Sequence, residues 1–235
     1  MKDGLIERIK TKGYWRVNFR PRAFPVEPLA LERCRHLVEQ SNVRLRGWDY
    51  PHVSTRNDDE GSFEYCGNYV ESWTDWGHHP EFWRFFKSTQ FLHYRAIAED
   101  WVDGDDNRRR PSGPHISVTG AIYSITEILE FLFRLHRNGA YESGAQVNIS
   151  IENSAQRELW ISDPMRMPFS YPRATGAQRV VLNRELASDD LKRSSPELSI
   201  MLCQEFFDNF GWQPDPNQII ADREKLLSRR MDLYY

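Results

Sequence analysis

The chain has few cysteines, no long apolar run and no signature of a familiar catalytic site. Cys34, Cys66 and Cys203 are far apart, and an odd number without paired spacing is typical of a reducing compartment. No apolar stretch approaches the roughly 20 residues that a membrane-spanning helix needs. The first residues alternate charged and apolar side chains, unlike a signal peptide. Together these absences predict a soluble, cytoplasmic protein without membrane association.

Catalytic and metal-binding motifs are equally scarce. The sequence contains neither a Gly-x-Ser-x-Gly elbow nor a phosphate-binding loop. Its nearest approach to a metal site is the string from Asp75 to Glu81, which includes His78 and His79. Adjacent histidines point in different directions in most backbone conformations, and Pro80 indicates a loop. We therefore predict an exposed turn there, no metal, no cofactor and no catalytic residue.

Aromatic residues are concentrated in the first half of the chain. Fourteen of the 31 lie between Trp48 and Trp101. From Pro51 to Asp106 there are twelve acids and four bases, a balance of −8, whereas residues 1–50 carry eleven bases and six acids, a balance of +5. Tryptophan and tyrosine combine a large apolar area with a polar atom that needs a partner. This excess beside polar neighbours predicts a contact surface or a lined pocket.

The periodicity of apolar residues predicts an α+β fold. Residues 13–24 alternate as a strand, with Trp15, Val17 and Phe19 on one side and Arg16 and Arg20 on the other. Further strands are predicted at 62–66, 68–73, much of 82–101, 146–152, 157–162 and 177–183, and helices at 28–40, 121–138, 195–211 and 215–230. Short turns between strands favour a mostly antiparallel sheet with helices on its faces. We predict a single domain over 1–235, in two loosely similar halves, with a flexible internal loop at 103–115.

Two groups of residues are candidate binding sites. The first gathers polar groups beside amphipathic rings and consists of Arg46, Trp48, Asp49, Tyr50, Trp73 and Trp76. An alternative is that these rings fill the core while Arg46 and Asp49 satisfy backbone groups. The second is the basic side of the first strand, with Arg16 and Arg20, a combination that nucleic-acid platforms use. Charged outer faces also keep ordinary sheets soluble, so this alternative stays open as well.

Three strings resemble those of an uncharacterised group of bacterial proteins. They are Gly-Tyr-Trp-Arg-Val at 13–17, Val-Arg-Leu-Arg-Gly-Trp-Asp-Tyr-Pro-His at 43–52 and Tyr-Val-Glu-Ser-Trp-Thr-Asp-Trp at 69–76. The resemblance implies a bacterial origin and relatives fused to nucleic-acid-binding domains. It implies no activity and places no catalytic residue on this chain.

The leading functional hypothesis is a non-enzymatic binding or assembly subunit that acts with a larger effector protein, with bacterial antiviral defence as its setting. It rests on the aromatic excess, the segregated charge and the missing catalytic motifs. A second hypothesis is a nucleic-acid-binding accessory protein that uses the first strand, at 14–22, and the run Arg108–Arg110. A third is an enzyme with an unrecognised pocket between Trp48 and Glu81. A protein partner is expected, whereas the sequence leaves the oligomeric state open.

Overall fold

A seven-stranded antiparallel sheet is the main element of the computed structural model, which describes residues 1–102, 110–193 and 196–228. Its strands lie in the order β2-β3-β4-β5-β1-β7-β9. They are β1 (Tyr14–Pro21), β2 (Gly61–Cys66), β3 (Tyr69–Thr74), β4 (Glu81–Phe86), β5 (Phe91–Ala96), β7 (Ala145–Glu152) and β9 (Arg179–Leu186). Two short strands, β6 (His115–Ser117) and β8 (Glu158–Trp160), pair in parallel in a separate small sheet.

The described helices are α1 (Leu5–Lys10), α2 (Leu31–Ser41), α3 (Val118–Arg137), α4 (Ser188–Arg193), α5 (Pro196–Asp208) and α6 (Pro216–Leu227), with one 3-10 turn at Ala98–Asp100. The predicted fold class, α+β with a mostly antiparallel sheet, is confirmed. Five strands of the large sheet precede the predicted loop and two follow it. No helix within the described ranges is long and apolar enough to cross a membrane.

Strand β1 is an interior strand of the sheet, between β5 and β7. Its alternation places Trp15, Val17 and Phe19 in the main core, where each is at most 3% exposed. This face carries the helix layer, in which α3 packs against α2, α4, α5 and α6. The side chain of Ser117 caps the start of α3 by accepting a hydrogen bond from the amide of Gly120 at 3.1 Å.

The opposite face of the sheet is partly covered by α1, a helix that periodicity does not predict. Leu5 and Ile9 of α1 bury Tyr14, Trp73 and Phe82 in a second, smaller core. A six-residue helix offers fewer than two turns in which an amphipathic pattern can appear. Its position changes the interpretation of Trp73, as described below.

Two sequence predictions need correction, one in the aromatic half and one at the end of the predicted loop. The run from Phe82 to Trp101 is not one extended segment, because a turn at residues 87–90 divides it into β4 and β5 and the 3-10 turn follows. Thr89 has a φ of 65° in that turn. Of the predicted loop at 103–115, residues 103–109 lie outside the described residues. Its last residue, His115, is buried in β6 rather than exposed.

A buried arginine joins four distant segments beside β1. Arg157 is 1% exposed, and its guanidinium donates to both carboxylate oxygens of Asp100 at 2.9 and 2.6 Å and to the carbonyl of His115 at 2.6 Å. The amide of Gly13 donates to the same carboxylate at 2.8 Å. The two opposite charges therefore compensate each other, as a buried ion pair requires, whereas Nε of Arg157 is buried without a hydrogen-bond partner in the described part of the chain.

Substituting Gly13 by alanine should destabilise the protein, because a Cβ there would lie 1.9 Å from Nη2 of Arg157 and 2.8 Å from Oδ2 of Asp100. The guanidinium is held on several sides and cannot move away without losing hydrogen bonds. We expect the free energy of unfolding to fall by about 2 kcal/mol, as overpacking typically does. Urea unfolding followed by circular dichroism measures it. Gly176→Ala is the control, since a Cβ there meets nothing within 4 Å; equal stabilities for the two variants would contradict this account.

Candidate functional site

Two loops meet at one end of the sheet and bring most of the first predicted group together. The loop at 46–52 is closed by paired backbone hydrogen bonds between Val43 and Tyr50, at 2.8 and 2.9 Å. The turn at 75–80 is tightened by the amide of His79, which donates to the carbonyl of Trp76 at 3.0 Å. Gly77 adopts a φ of 53° inside this turn, a conformation that glycine accommodates without strain. As a result, Arg46, Trp48, Asp49, Tyr50 and Trp76 form one cluster.

The more exposed part of the cluster consists of stacked, near-parallel rings. We call this set the ring stack, and its members are Trp48, His52, Trp76 and His79. Trp48 lies between the two imidazoles, with ring centroids 4.1 Å from His52 and 4.4 Å from His79. The ring of Trp76 is tilted by 17° from that of Trp48 at 6.1 Å, and Trp76 is 49% exposed. The ring stack therefore presents a flat aromatic edge to solvent.

The ring stack rests on the buried carboxylate of Glu81, the first residue of β4. Indole Nε1 of Trp48 donates to one of its oxygens at 2.9 Å, and Nε2 of His93 lies 2.9 Å from the other. Burial alone would raise the pKa of Glu81, but the hydrogen bond from His93 lowers it. Burial lowers the pKa of His93 despite the carboxylate beside it. We therefore assign an ionised Glu81 that accepts from a neutral His93.

The hydrogen-bond chain continues from His93 to Tyr50. With its proton on Nε2, the imidazole of His93 accepts at Nδ1 from the hydroxyl of Tyr50, 3.2 Å away. Tyr50 is 1% exposed, and burial raises the pKa of its phenol. The structure therefore places Tyr50 in the interior, as support for the cluster rather than as part of a contact surface.

A second buried ion pair ties the same loop to the central helix. Glu127 of α3 is 1% exposed and accepts from Nε of Arg46 at 2.8 Å and from Nη2 of the same guanidinium. Nη1 of Arg95 lies 3.8 Å from this carboxylate, and its guanidinium carbon is 5.2 Å from the centroid of the Tyr50 ring. Two guanidinium groups thus face one buried carboxylate.

Asp49 and His52 form a partly exposed acid–imidazole pair at the edge of the cluster. Nδ1 of His52 lies 2.5 Å from Oδ1 of Asp49, and the side-chain amide of Asn42 donates to Oδ2 at 3.0 Å. Burial opposes the charged imidazole, but the hydrogen bond to Asp49 and the charge of Glu81 raise the pKa of His52. The carbonyl of His52 accepts from the indole of Trp83 at 2.6 Å, which fixes the loop to β4.

An open cavity of about 550 Å³ lies beside the ring stack and carries cations and one further indole. Lys12 and Arg8 both lie over the ring of Trp101, with Nζ 4.6 Å and the guanidinium carbon 5.1 Å from its centroid. His78 and Gly77 line the same cavity. Aromatic and cationic groups therefore continue outward from the ring stack.

The remaining predicted residues lie elsewhere. Trp73 belongs to the second core under α1 and is 6% exposed, so the prediction that it forms a contact surface is replaced by a packing role. Its polar neighbours Ser72 and Thr74, which suggested exposure, are buried as well. Arg16 lies on the side of β1 opposite the helix layer, and Arg20 lies on the same side.

Asp75, His78, His79 and Glu81 do not converge as metal ligands. Asp75 pairs with Lys2 at 2.6 Å and with Arg8, while His79 stacks on Trp48. Among the described residues, only Glu64, Cys66 and Glu71 have donor atoms close enough to share an ion. Both of those carboxylates already lie 3.0 Å from the amino group of Met1, and Glu71 accepts from Arg84 at 2.8 Å.

The cluster includes three residues that the sequence analysis missed, namely His93, Arg95 and Glu127. Glu127 could have been suspected, because 14 of the 20 residues of α3 are buried and an acid in such a helix needs a partner.

Comparison with family models, with curated proteins and with solved structures finds no match. The cluster is therefore interpreted from its own geometry.

Removing the buried carboxylate of α3 should be costly. Glu127→Leu would leave the guanidinium groups of Arg46 and Arg95 facing an apolar side chain, and losing one partner of a buried pair typically costs about 3 kcal/mol or more. Glu130→Ala on the same helix removes a more exposed carboxylate from Arg134, worth about 1 kcal/mol or less. Equilibrium unfolding in urea compares the two; a loss no larger for Glu127→Leu would refute the supporting role.

The ring stack should also make stability depend on pH. Burial beside Trp48, followed by the charge of His78, lowers the pKa of His79 to about 4. Below its ordinary pKa of about 6.5, the unfolded chain binds a proton that the folded state rejects. The stability that His79 contributes is therefore present above pH 6.5 and is lost as the pH falls toward 4.

A phenylalanine at position 79 keeps a ring but cannot titrate. We expect the melting temperature of His79→Phe to fall less between pH 7 and pH 4.5 than that of the unsubstituted protein. His36→Phe is the matched control, because it makes the same substitution at an exposed position of α2, outside the ring stack. Differential scanning calorimetry measures the melting temperatures across this pH range. If the melting temperatures of His79→Phe and of the parent fall in parallel, the lowered pKa of His79 is ruled out.

Proposed function

We propose that this protein is a non-enzymatic binding subunit that acts with a larger effector protein, and that the ring stack is where the partner docks. The observation that carries this proposal is the exposure of Trp76, which is half exposed at the edge of the ring stack. Tryptophan residues anchor many protein interfaces, because a large apolar ring is buried at little cost in side-chain entropy.

The support beneath the ring stack favours binding. The indole of Trp48 is fixed by Glu81, and its two flanking imidazoles limit its rotation. A side chain held in its bound conformation loses little freedom when a partner covers it. Trp76 is therefore placed on a supported surface rather than on a single unbraced side chain.

The same geometry argues against acid–base chemistry at the buried groups. Both oxygens of Glu81 and both ring nitrogens of His93 are engaged with neighbouring side chains, and both oxygens of Glu127 accept from Arg46. A general acid or base needs a free position within hydrogen-bond reach of its substrate. These mutual contacts support a structural role for the buried network under a binding surface.

The test compares complexes recovered from the host. Affinity-tagged protein is purified from host cells, the mass of its complex is measured by native mass spectrometry, and the identified partner is then titrated against each variant. Trp76→Ala should weaken association by about 30-fold, which corresponds to about 2 kcal/mol, and leave the melting temperature nearly unchanged. Trp73→Ala should mainly lower the melting temperature, because Trp73 lies in the second core.

Phe24→Ala serves as the control, since Phe24 is 64% exposed and lies outside the cluster. It should leave both affinity and stability unchanged. The proposal fails if no stoichiometric partner accompanies the protein, if Trp76→Ala binds as tightly as the parent, or if Phe24→Ala causes the same loss.

A further inference from the structure

The side of the sheet opposite the helix layer carries a second surface, separate from the ring stack. Helix α1 covers this side only near Tyr14, Trp73 and Phe82. Farther along, β1, β7 and β9 direct polar side chains outward, and we call this set the amide–arginine face. Its members are Arg16, Arg20, Gln146, Asn148, Asn183 and Asn18, of which Asn18 is only 8% exposed.

The strand register places the amides of this face in a row. Asn18 pairs with Asn148, and Asn148 pairs with Asn183, so the three amides cross β1, β7 and β9 side by side. The amide of Asn148 donates to Asn183 at 2.6 Å, and Gln90 meets the amide of Asn18 at 3.0 Å. Strands lie about 4.8 Å apart, so the row, which spans two strand intervals, is on the order of 10 Å long. Such side chains offer donors and acceptors in alternation.

Arg16 and Arg20 lie two positions to either side of Asn18 along β1, at one end of the row. Residues four apart on a strand point to the same side and are separated by about 13 Å. Within the described ranges, neither arginine has a carboxylate within ion-pair distance, in contrast to Arg22, Arg84 and Arg179, which pair with Glu185, Glu71 and Glu152. The shallow cavity over this face, about 480 Å³, is also lined by Glu185, which pairs with Arg22, and by Arg184, which pairs with Glu205 of α5.

We propose that the amide–arginine face binds single-stranded nucleic acid. The guanidinium groups of Arg16 and Arg20 match phosphate in charge and in their planar pairs of donors. The amides of Asn148 and Asn183 beside them, on β7 and β9, suit the hydrogen-bonding edges of bases and the sugar hydroxyls, which an unpaired strand exposes. A duplex fits less well, because its major groove admits a helix or a two-stranded ribbon rather than the broad face of a sheet.

The experiment measures fluorescence anisotropy of a labelled 20-nucleotide single strand with the full chain, at salt concentrations from 50 to 200 mM. The parent should bind with an affinity that falls as salt rises, since phosphate contacts release counterions. Arg16→Ala with Arg20→Ala should weaken binding by about tenfold or more at 50 mM salt and reduce the slope of log affinity against log salt by about 1.4. Asn148→Ala should weaken binding with little change in slope.

The matched control is Arg44→Ala with Arg193→Ala, which removes two exposed arginines outside this face and should leave binding unchanged. Melting temperatures of all variants check that the fold is intact. The proposal is overturned if the parent does not bind the single strand at 50 mM salt, or if the control pair loses as much affinity. It is also overturned if a duplex of the same length, or poly-glutamate as an acidic polypeptide, binds as tightly as the single strand.

Discussion

The buried carboxylate of Glu81 determines how one end of this molecule is built. A charge removed from water must be met by donors, and the donors available here belong to Trp48 in a loop and to His93 on the next strand. Satisfying the carboxylate therefore fixes the loop against the sheet and sets the plane of the indole. The imidazoles stack on that indole, and Trp76 follows.

The pair formed by Arg46 and Glu127 acts on the same loop from the other side. It connects the loop to α3, the helix at the centre of the helix layer. The loop is thus held by the sheet through one carboxylate and by the helix layer through another. A surface supported in two directions keeps its shape when a ligand is absent. Binding therefore costs little conformational entropy, because few side chains need to be ordered.

The two sides of the sheet have different chemistry, and the same alternation produces both. Along β1, the odd-numbered residues from Trp15 to Phe19 enter the main core, and the even-numbered residues face the other way. Within the described ranges, the six-residue helix α1 covers part of that second side. The ring stack at the end of the sheet and the polar row on its open side are therefore independent surfaces on one scaffold.

Local signals account for the parts of the fold that the sequence predicts well. Alternation marks β1, the Gly67-Asn68 turn separates β2 from β3, and Asn138-Gly139 ends the region of α3. The contacts that define the site are set by tertiary pairing instead. Trp48 and Glu81 are 33 positions apart, and nothing near either residue indicates that they meet.

Trp73 is a second case in which tertiary contacts, which the sequence does not reveal, decide the role of a residue. Its polar neighbours resemble those of an exposed residue, yet Ser72 faces the helix layer and Trp73 lies beneath α1. Whether a strand has one covered side or two depends on what else in the chain packs there. A period of two residues identifies the strand but not the cover over each side.

The interior position of β1 also affects the order in which the chain can assemble. Its hydrogen-bonding partners come late in the sequence, with Phe19 beside Phe91 and Pro21 beside Ala145. When β1 leaves the ribosome, neither β5 nor β7 has been synthesised. This apolar strand can therefore pair only after those distant segments have emerged. Pairings of such large sequence separation slow folding, because loop closure precedes the contacts that repay it. The hairpins from β2 to β5 pair strands adjacent in sequence and can form while β1 waits.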